Sequence, residues 1–484
     1  MSKRRKFLKK MGLGFITIPV LQNPVLPKRN GNKQQNVFFT TGYKVSGVTS
    51  NQAIVWTRLC GQQFPNSIVH ERREKVFRHP IDFDENMPVD KMDGAVKVAN
   101  GFVQIKLEAG SGKVFSSGWM EAKEPGDSVV SFLFDELEPN SLYKVVIEGK
   151  MTDDGVSSFI YGSFKTAPSP NASKNVILTT STCQYFWSFD DIDRGFRTYD
   201  SMRRMNPDFY IQTGDYVYYD KPGPLAKNLE QARHKWHAMD SRPSIRDLYT
   251  KTPVFMIKDD HDLLDNDVFP GSGDYGDLSL EDGLKLWYTN SPVRKKPYRK
   301  IRWGKDLEIW LVEGREFRSP NDAEDGPDKS IWGQEQKDWF VRTVEESDAT
   351  FKLLFTATPV VGPDRENKSD NHANTTFEHE GTWLRKYLSG LKNIFVINGD
   401  RHWQYVSKDD ETGLLEFGSG PVSDYHVQGW KEGDKRPEHQ YLGLVGGFLS
   451  VEVKKEGSEP IIIFCHNDVD GRVLNTVKIR KSDL

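Results

Sequence analysis

Residues 209–218 read Phe-Tyr-Ile-Gln-Thr-Gly-Asp-Tyr-Val-Tyr. The apolar run at the start has the length of a buried strand, and Thr213-Gly214 predicts a turn directly after it. The carboxylate of Asp215 and the phenol of Tyr218 follow that turn, three residues apart. Both groups are hard oxygen donors that suit a trivalent metal ion. We therefore interpret the stretch as a strand that ends in a metal site.

Three further apolar runs end in polar residues in the same way. Residues 176–178 lead to Ser181-Thr182-Cys183-Gln184, residues 254–257 to Asp259-Asp260-His261-Asp262, and residues 394–397 to Gly399-Asp400-Arg401-His402. Ligands of open α/β sheets bind beyond the carboxyl ends of the strands, so the four strand ends are expected to meet. A single Asp after a strand is more often a turn former, but that explanation would be needed independently at each of these ends. The candidate ligands for two metal ions that share an oxygen are Cys183, Asp215, Tyr218, Asp260, Asn266, Asp400 and His402.

The pattern of apolar runs along the 484 residues predicts that the chain has two folded parts. Residues 36–167 carry short strand-like runs between turns, which predicts a small all-β immunoglobulin/fibronectin-like sandwich domain with Tyr143 at a corner. Residues 168–174 are rich in Pro, Ser and Asn and predict a linker. Residues 175–484 alternate strand-length apolar runs with helix-length stretches, which predicts an α/β (α+β) domain with mixed sheets flanked by helices. The predicted strands of this part include residues 176–178, 209–211, 254–257, 309–312, 353–355, 394–397 and, in the tail, 448–453 and 473–479.

The first 30 residues are set apart from the fold. Lys3-Arg4-Arg5-Lys6 precedes an apolar run, residues 11–21, which is too short to span a bilayer and contains Pro19. Paired arginines before a short apolar segment resemble a twin-arginine export signal, and a basic tail is the alternative. The prediction is export by the twin-arginine machinery to the periplasm or the exterior, with no transmembrane span.

Charge, cysteine positions and the absence of one motif disfavour several classes of function. The formal net charge of -3 gives no reason to expect nucleic-acid binding. Of the three cysteines, Cys60 and Cys465 follow apolar runs and are expected to be buried and inert, whereas Cys183 lies at a strand end. A serine hydrolase is disfavoured because no Gly-x-Ser-x-Gly motif follows a strand.

The motifs Ser-Thr-Cys-Gln, Gly-Asp-Tyr-Val-Tyr, Asp-Asp-His-Asp with a later Asn-Asp, and Gly-Asp-Arg-His, in this order, resemble the alkaline phosphatase D family of calcineurin-like metallophosphoesterases. The resemblance implies a metallophosphoesterase sandwich of mixed sheets behind the small all-β domain. It further implies that Cys183, Asp215, Tyr218 and His402 hold iron(III), with Asp215 bridging to a second cation held by Asp260, Asn266 and Asp400. That second cation would be Ca²⁺, with Mg²⁺, Mn²⁺ or Zn²⁺ as alternatives. Asp259, Asp262 and Arg315 are expected to support these ligands, and an additional Ca²⁺ is the alternative for Asp259 and Asp262.

The chemistry implied is hydrolysis of a phosphate ester by a metal-activated water. His261 is predicted to donate a proton to the leaving group and Arg401 to stabilise phosphoryl oxygens. Phosphodiesters and phosphomonoesters both remain open as substrates. The alternative is a secreted binding or adhesion protein with structural metals, although the polar loops that follow the ligands favour an open, catalytic site. The segment Asp262-Leu263-Leu264-Asp265 departs from the family's usual spacing, so the placement of Asn266 carries over less directly.

Overall fold

The computed structural model describes residues 36–73, 79–80, 82–294 and 296–484. The predicted export segment lies outside these ranges. Within them, no helix combines the length and the apolar character needed to cross a membrane.

The N-terminal part of the described chain consists of two antiparallel sheets. A three-stranded sheet has the order β1-β2-β5 and a four-stranded sheet has the order β4-β3-β6-β7. These strands are β1 (Tyr43–Ser46), β2 (Ala53–Arg58), β3 (Gly101–Ala109), β4 (Val114–Ala122), β5 (Val129–Phe134), β6 (Leu142–Lys150) and β7 (Ser158–Lys165). Alternate residues of β3 and β6 are buried, as expected for strands with one face on a core. Tyr143 is a buried corner tyrosine, because its hydroxyl accepts a hydrogen bond from the backbone N–H of Glu138 at 2.7 Å.

The remaining strands form two larger mixed sheets. One has the order β10-β9-β8-β18-β19-β20, in which β8, β9 and β10 are parallel and β18 to β20 antiparallel. The other has the order β11-β12-β13-β14-β16-β15-β17, in which β12, β13, β14 and β16 are parallel. The first sheet consists of β8 (Val176–Ser181), β9 (Phe209–Thr213), β10 (Val254–Ile257), β18 (Phe448–Glu456), β19 (Glu459–Asn467) and β20 (Val473–Arg480). The second consists of β11 (Arg299–Trp303), β12 (Leu307–Leu311), β13 (Phe351–Thr356), β14 (Ile394–Asn398), β15 (Gln404–Lys408), β16 (Leu415–Ser419) and β17 (His439–Gly443).

The two mixed sheets pack face to face, and helices cover their outer sides. Phe417 of one sheet stacks on Phe464 of the other with ring centroids 4.0 Å apart. One helical cluster packs on β9 and β10 and a second packs on β12 to β14. The helices are α1 (Arg197–Met205), α2 (Leu229–Asp240), α3 (Pro243–Tyr249), α4 (Leu280–Asn290), α5 (Gly333–Glu345) and α6 (Glu378–Ser389). The central strands are buried along their whole length because both faces are covered.

This architecture confirms the predicted α/β fold of mixed sheets flanked by helices, together with an all-β region before it. Each run that the sequence marked as a strand in this part coincides with a strand, although the run 309–312 extends one residue beyond β12. The helix between β8 and β9 is α1, which buries Tyr199 and Met202. The carboxyl ends of β8, β9, β10 and β14 meet at one edge of the sandwich, and the predicted ligands follow them.

Candidate metal centre

Four predicted ligands converge on one point beyond β8, β9 and β14. Ligand atoms of Cys183, Asp215 and His402 all lie within 4.8 Å of one another. The hydroxyl of Tyr218 is 2.8 Å from Asp215 Oδ2, and Cys183 Sγ is 3.4 Å from the same oxygen. The turn after β9 therefore brings the Asp215 carboxylate and the Tyr218 phenol to one place, although the residues are three apart in sequence.

The backbone at this point is held in an unusual conformation. Cys183, Asp215 and Asp400 each adopt a positive φ, between 51° and 59°, directly after a strand. Non-glycine residues seldom adopt this conformation, and where they do it tends to mark a functional site. Gly214, directly before Asp215, is required by close approach, since a Cβ there would lie 2.6 Å from the Cβ of Asp259.

The carboxylate of Asp262 fixes the loop that carries Asp215. It accepts hydrogen bonds from the backbone N–H groups of Asp215, Tyr216 and Val217 at 2.7 to 3.0 Å, and from that of Asp259 at 3.0 Å. One buried side chain thus holds together the loops that follow β9 and β10. Asp262 acts on the ligands through the backbone, in keeping with the supporting role expected for it.

Asp215 also belongs to two further groups of closely spaced ligand atoms. One contains Asp260 and His261 and the other contains Asp259 and Asp400, again with all atoms within 4.8 Å of one another. Asp260 and Asp400, both predicted for the second cation, therefore lie beside the predicted bridging carboxylate. Asp259, expected to support the ligands, is itself near enough to act as one.

Asn266 has a different environment from the other predicted ligands. Its side chain is exposed in the turn that follows the Asp260–Asp262 helical turn. The neighbouring Asp267 joins Asp260 and Asp370 in a group within 4.8 Å. The structure thus brings Asp267 toward the cluster, and a ligand role for Asn266 stays a prediction.

Electrostatics at the cluster favour a bound cation. Burial, together with neighbouring carboxylates, raises the pKa of Asp215 to about 7 and that of Asp259 to about 8. Burial and the Asp215 charge also raise the pKa values of the Cys183 thiol and the Tyr218 phenol well above their ordinary values. Among the described residues, Asp215 Oδ1 and Asp259 Oδ2 are buried without a hydrogen-bond partner. A cation would satisfy these oxygens, so the residues present fit a metal centre.

The imidazole of His402 is prepared for the same role. Burial, with His426, Arg365 and Arg401 nearby, lowers the pKa of His402 well below its ordinary value. A neutral imidazole keeps a free lone pair for a metal. Gln428 Nε2 lies 3.2 Å from His402 Nδ1. The other ring nitrogen, His402 Nε2, is directed at the cluster and lies 3.5 Å from the Tyr218 hydroxyl.

Comparison with known proteins assigns the family. The family model described as "PhoD-like phosphatase" matches residues 178–445, more than half of the chain. The chain belongs to the PhoD-like phosphatase family. The resemblance drawn from the sequence motifs is thereby confirmed.

Relatives of this PhoD-like chain agree with the assignment. It is 21% identical over 382 residues to alkaline phosphatase D of Bacillus subtilis (strain 168), a match that covers 67% of this chain but 63% of that relative's length. The solved structure titled "Structure of PhoD" superposes with a TM-score of 0.66 at 16% identity, over 93% of this chain and 90% of the other. Purple acid phosphatase PPD1 from yellow lupin (Lupinus luteus) seeds gives a TM-score of 0.59 at 11% identity, over 90% and 74% of the two chains. These two structures support the metallophosphoesterase fold.

Both arginines that the sequence placed at the PhoD-like site are buried among carboxylates. Arg401 donates to Asp364 Oδ1 at 2.9 Å and also hydrogen-bonds Asp400. Arg315 donates to Asp259 Oδ1 at 2.6 Å and to Asp370 Oδ2 at 3.1 Å. Both side chains are at most 1% exposed. Both arginines are therefore held by carboxylates of the cluster. The supporting role of Arg315 and the contact of Arg401 with phosphoryl oxygens stay predictions.

His261 lies on the other side of Tyr218, with ring centroids 4.5 Å apart. Its Nδ1 is 2.8 Å from Asp220 Oδ1. Burial opposes protonation, but Asp220, Asp260 and Asp215 outweigh it and raise the pKa of His261 to about 10. The contact with Asp220 therefore favours the protonated form of His261.

Sequence reasoning missed several residues at the site. His426 Nε2 is 3.1 Å from the Tyr218 hydroxyl, and its ring centroid is 4.3 Å from that of His402. Asp220 orients His261, and Asp370 contacts Arg315. His426 and Asp370 lie in long polar loops, where no adjoining apolar run sets them apart from surface residues. The one sequence signal for His426 is that it follows strand β16. That strand is hard to recognise in the sequence because Glu416 interrupts its apolar run.

Proposed function

We propose that this chain is an exported, metal-dependent phosphoesterase that hydrolyses phosphate esters at an iron(III)/Ca²⁺ centre. The observation that carries the proposal is the convergence of four strand ends on the Asp215 carboxylate. Membership of the PhoD-like phosphatase family supports the same reaction class.

The donor set supports the assignment of the two cations. Thiolate, phenolate and carboxylate donors from Cys183, Tyr218 and Asp215, with His402, suit iron(III) and stabilise it against reduction. The predicted oxygen donors of the second cation, Asp260 and Asp400, each lie in a separate group with Asp215. With Asn266 as the remaining predicted donor, this set suits Ca²⁺. Mg²⁺, Mn²⁺ or Zn²⁺ are the alternatives there.

Bound metal ions would supply an activated water and a positive clamp for the phosphoryl oxygens. The chain's own contribution to the reaction is proton transfer and orientation. His261 keeps its proton through the Asp220 ion pair and would deliver it to the leaving alkoxide. Arg401 and Arg315 neutralise Asp400 and Asp259, so that ligands and phosphate are not pushed apart by uncompensated carboxylates. The proposed substrates are phosphodiesters and phosphomonoesters.

The decisive experiment is metal analysis combined with turnover. Purified protein is expected to contain iron and Ca²⁺, to show a visible tyrosinate-to-iron(III) band, and to hydrolyse bis(p-nitrophenyl) phosphate and p-nitrophenyl phosphate. Chelation is expected to abolish both activities. A colourless, metal-free protein that stays active with chelator present would refute the proposal, and a metal-loaded protein inactive on both esters would instead favour a binding protein with structural metals.

Export is tested separately from catalysis. The twin-arginine signal predicts that an Arg4→Lys/Arg5→Lys double variant accumulates in the cytoplasm while the wild-type chain reaches the periplasm or exterior. Unchanged export of the double variant would show that residues 1–30 do not act as this signal.

A further inference from the structure

Most cationic side chains near the metal centre are already paired with carboxylates. Arg315 and Arg401 are each held by two carboxylates. Lys368 lies 3.3 Å from Asp267 Oδ1 and 3.9 Å from Asp370 Oδ2. Arg315 and Arg401 are at most 1% exposed and Lys368 is 11% exposed, so an incoming phosphate has little access to any of the three side chains.

Arg365 is placed differently. Its nearest carboxylate oxygen is Asp364 Oδ1, 3.8 Å from its Nε. That oxygen already accepts from Arg401 Nη1 at 2.9 Å and from the Arg365 backbone N–H at 2.6 Å. Within the described part of the chain, Arg365 Nε is buried without a hydrogen-bond partner, while the side chain as a whole is 31% exposed. The guanidinium is therefore only loosely paired with a carboxylate, and the side chain reaches solvent.

The position of Arg365 is beside the predicted iron ligand His402. Its guanidinium carbon lies 5.8 Å from the ring centroid of Trp403, the residue after His402. On the other side its Nη1 would be 2.7 Å from a Cβ on Gly429, so the absence of a side chain there makes room for it. Gly429 follows Gln428, whose side chain contacts His402 Nδ1.

The loop that presents Arg365 is anchored at its base. The buried carboxylate of Glu416 accepts hydrogen bonds from the backbone N–H groups of Val360, Val361 and Gly362 at 2.6 to 2.9 Å. Asp364 is fixed by Arg401 and by Asn371 Nδ2 at 2.7 Å. Arg365 thus extends from a preorganised backbone, which lowers the entropic cost of binding a ligand.

We propose that Arg365 binds a phosphoryl oxygen of the substrate and selects phosphate monoesters over diesters. This inference rests on the proposed function, because it takes the metal pair as the site of the phosphoryl group. Two non-bridging oxygens of either ester can face the two cations. A monoester dianion has a third, charged oxygen left for the guanidinium, whereas a diester carries its second ester arm there. Arginine is suited to that contact because its planar fork matches phosphate oxygens.

The test compares Arg365→Ala with the wild-type enzyme on p-nitrophenyl phosphate and bis(p-nitrophenyl) phosphate, per bound iron. A lost charge-assisted hydrogen bond predicts a fall in kcat/KM of roughly 10- to 100-fold on the monoester. The fall on the diester is expected to be about threefold or less, because only a screened, longer-range attraction is lost. Arg365→Lys, which keeps the charge but not the fork, is expected to recover part of the monoester rate. Arg342→Ala, which removes an exposed arginine of α5, is the control and is expected to change neither rate.

Inorganic phosphate gives a readout that needs no turnover. Its dissociation constant, measured by calorimetry, is expected to rise roughly 10- to 100-fold in Arg365→Ala at unchanged iron content. Equal losses on both esters, or unchanged phosphate binding, would overturn the role of Arg365. Absence of hydrolysis by the wild-type protein would refute the proposed function instead, and the phosphate titration would still decide whether Arg365 binds the anion.

Discussion

At the scale of single residues, the three cysteines differ by their surroundings. Cys183 has Asp215 Oδ2 at 3.4 Å and belongs to the ligand cluster, whereas Cys60 is buried beside Thr41 in the N-terminal part. Cys465, which was expected to be buried, is only partly buried in β19. Cys183→Ala is expected to abolish the visible iron band and most hydrolysis, because one anionic donor is lost. Cys60→Ala is the matched control, which should keep iron and activity and lower the free energy of unfolding by about 1 kcal/mol. Metal analysis and absorbance spectra of the two variants decide the assignment, and an iron-replete, active Cys183→Ala enzyme would contradict it.

Glu380 illustrates how a single buried carboxylate sets acid stability. Burial alone would raise its pKa, but His372, Ser330 and the Ile331 backbone N–H outweigh burial and lower the pKa to about 2. A depressed folded-state pKa gives a stabilisation that is complete above about pH 4.5 and is lost as the pH falls through 2. Glu380→Gln is therefore expected to cost roughly 2–3 kcal/mol at pH 7. Denaturant unfolding of both proteins between pH 7 and 3 should show the difference shrinking toward low pH, and a difference that stays constant would exclude ionisation as its origin.

At the scale of elements, the sequence predicted the parts of the site that follow strands. Asp215 and Asp400 were found because an apolar run marks where each strand ends. Asp370 and His426 could not be found in this way, since their loops are polar throughout and tertiary contacts alone bring them to the cluster. Strands β11, β15 and β17 were not predicted from the sequence for a related reason, because charged or polar residues interrupt their apolar pattern.

The conformation of the loop after β9 depends on one hydrogen-bond acceptor in the loop after β10, the carboxylate of Asp262. The carboxylate of Asp262 accepts hydrogen bonds from the backbone N–H groups of Asp215, Tyr216 and Val217, so it orients the predicted bridging carboxylate through the backbone. Asp262→Asn replaces one carboxylate oxygen with an amide nitrogen that cannot accept these bonds. Supporting contacts of this kind are worth roughly 10- to 100-fold in metal affinity, and a loss of that size is expected in a competition titration with a chelator. Asp265→Asn, nearby in sequence but partly exposed, is the control, and equal affinities of the two variants would contradict the positioning role.

At the scale of the whole molecule, buried ion pairs join the N-terminal sheets to the metal-bearing part. Lys44 of β1 donates to Asp240 Oδ2 of α2 at 2.9 Å, and both side chains are 1% exposed. The other oxygen of Asp240 accepts from the hydroxyl of Tyr216, which lies between the predicted ligands Asp215 and Tyr218. Arg58 of β2 pairs with Asp127, which in turn contacts His237 of α2. The described residues between 36 and 484 accordingly form one compact unit, although the predicted division at residues 168–174 stays a prediction about folding units.

The two parts are therefore expected to unfold together. Lys44→Met leaves Asp240 buried with a weaker counter-charge, Arg58 at 3.6 Å, and removal of one partner of a buried ion pair costs roughly 3–5 kcal/mol. Because the same carboxylate holds Tyr216, the variant should also bind iron less tightly than the wild-type protein. In calorimetry of the metal-loaded protein, we expect a single transition that moves to lower temperature, and an exposed-pair control, Lys478→Met, should leave it nearly unchanged. Two resolved transitions, with the one assigned to the metal-bearing part unaffected by Lys44→Met, would show instead that the N-terminal sheets are an independent module and that the β1 to α2 contact does not reach the metal centre.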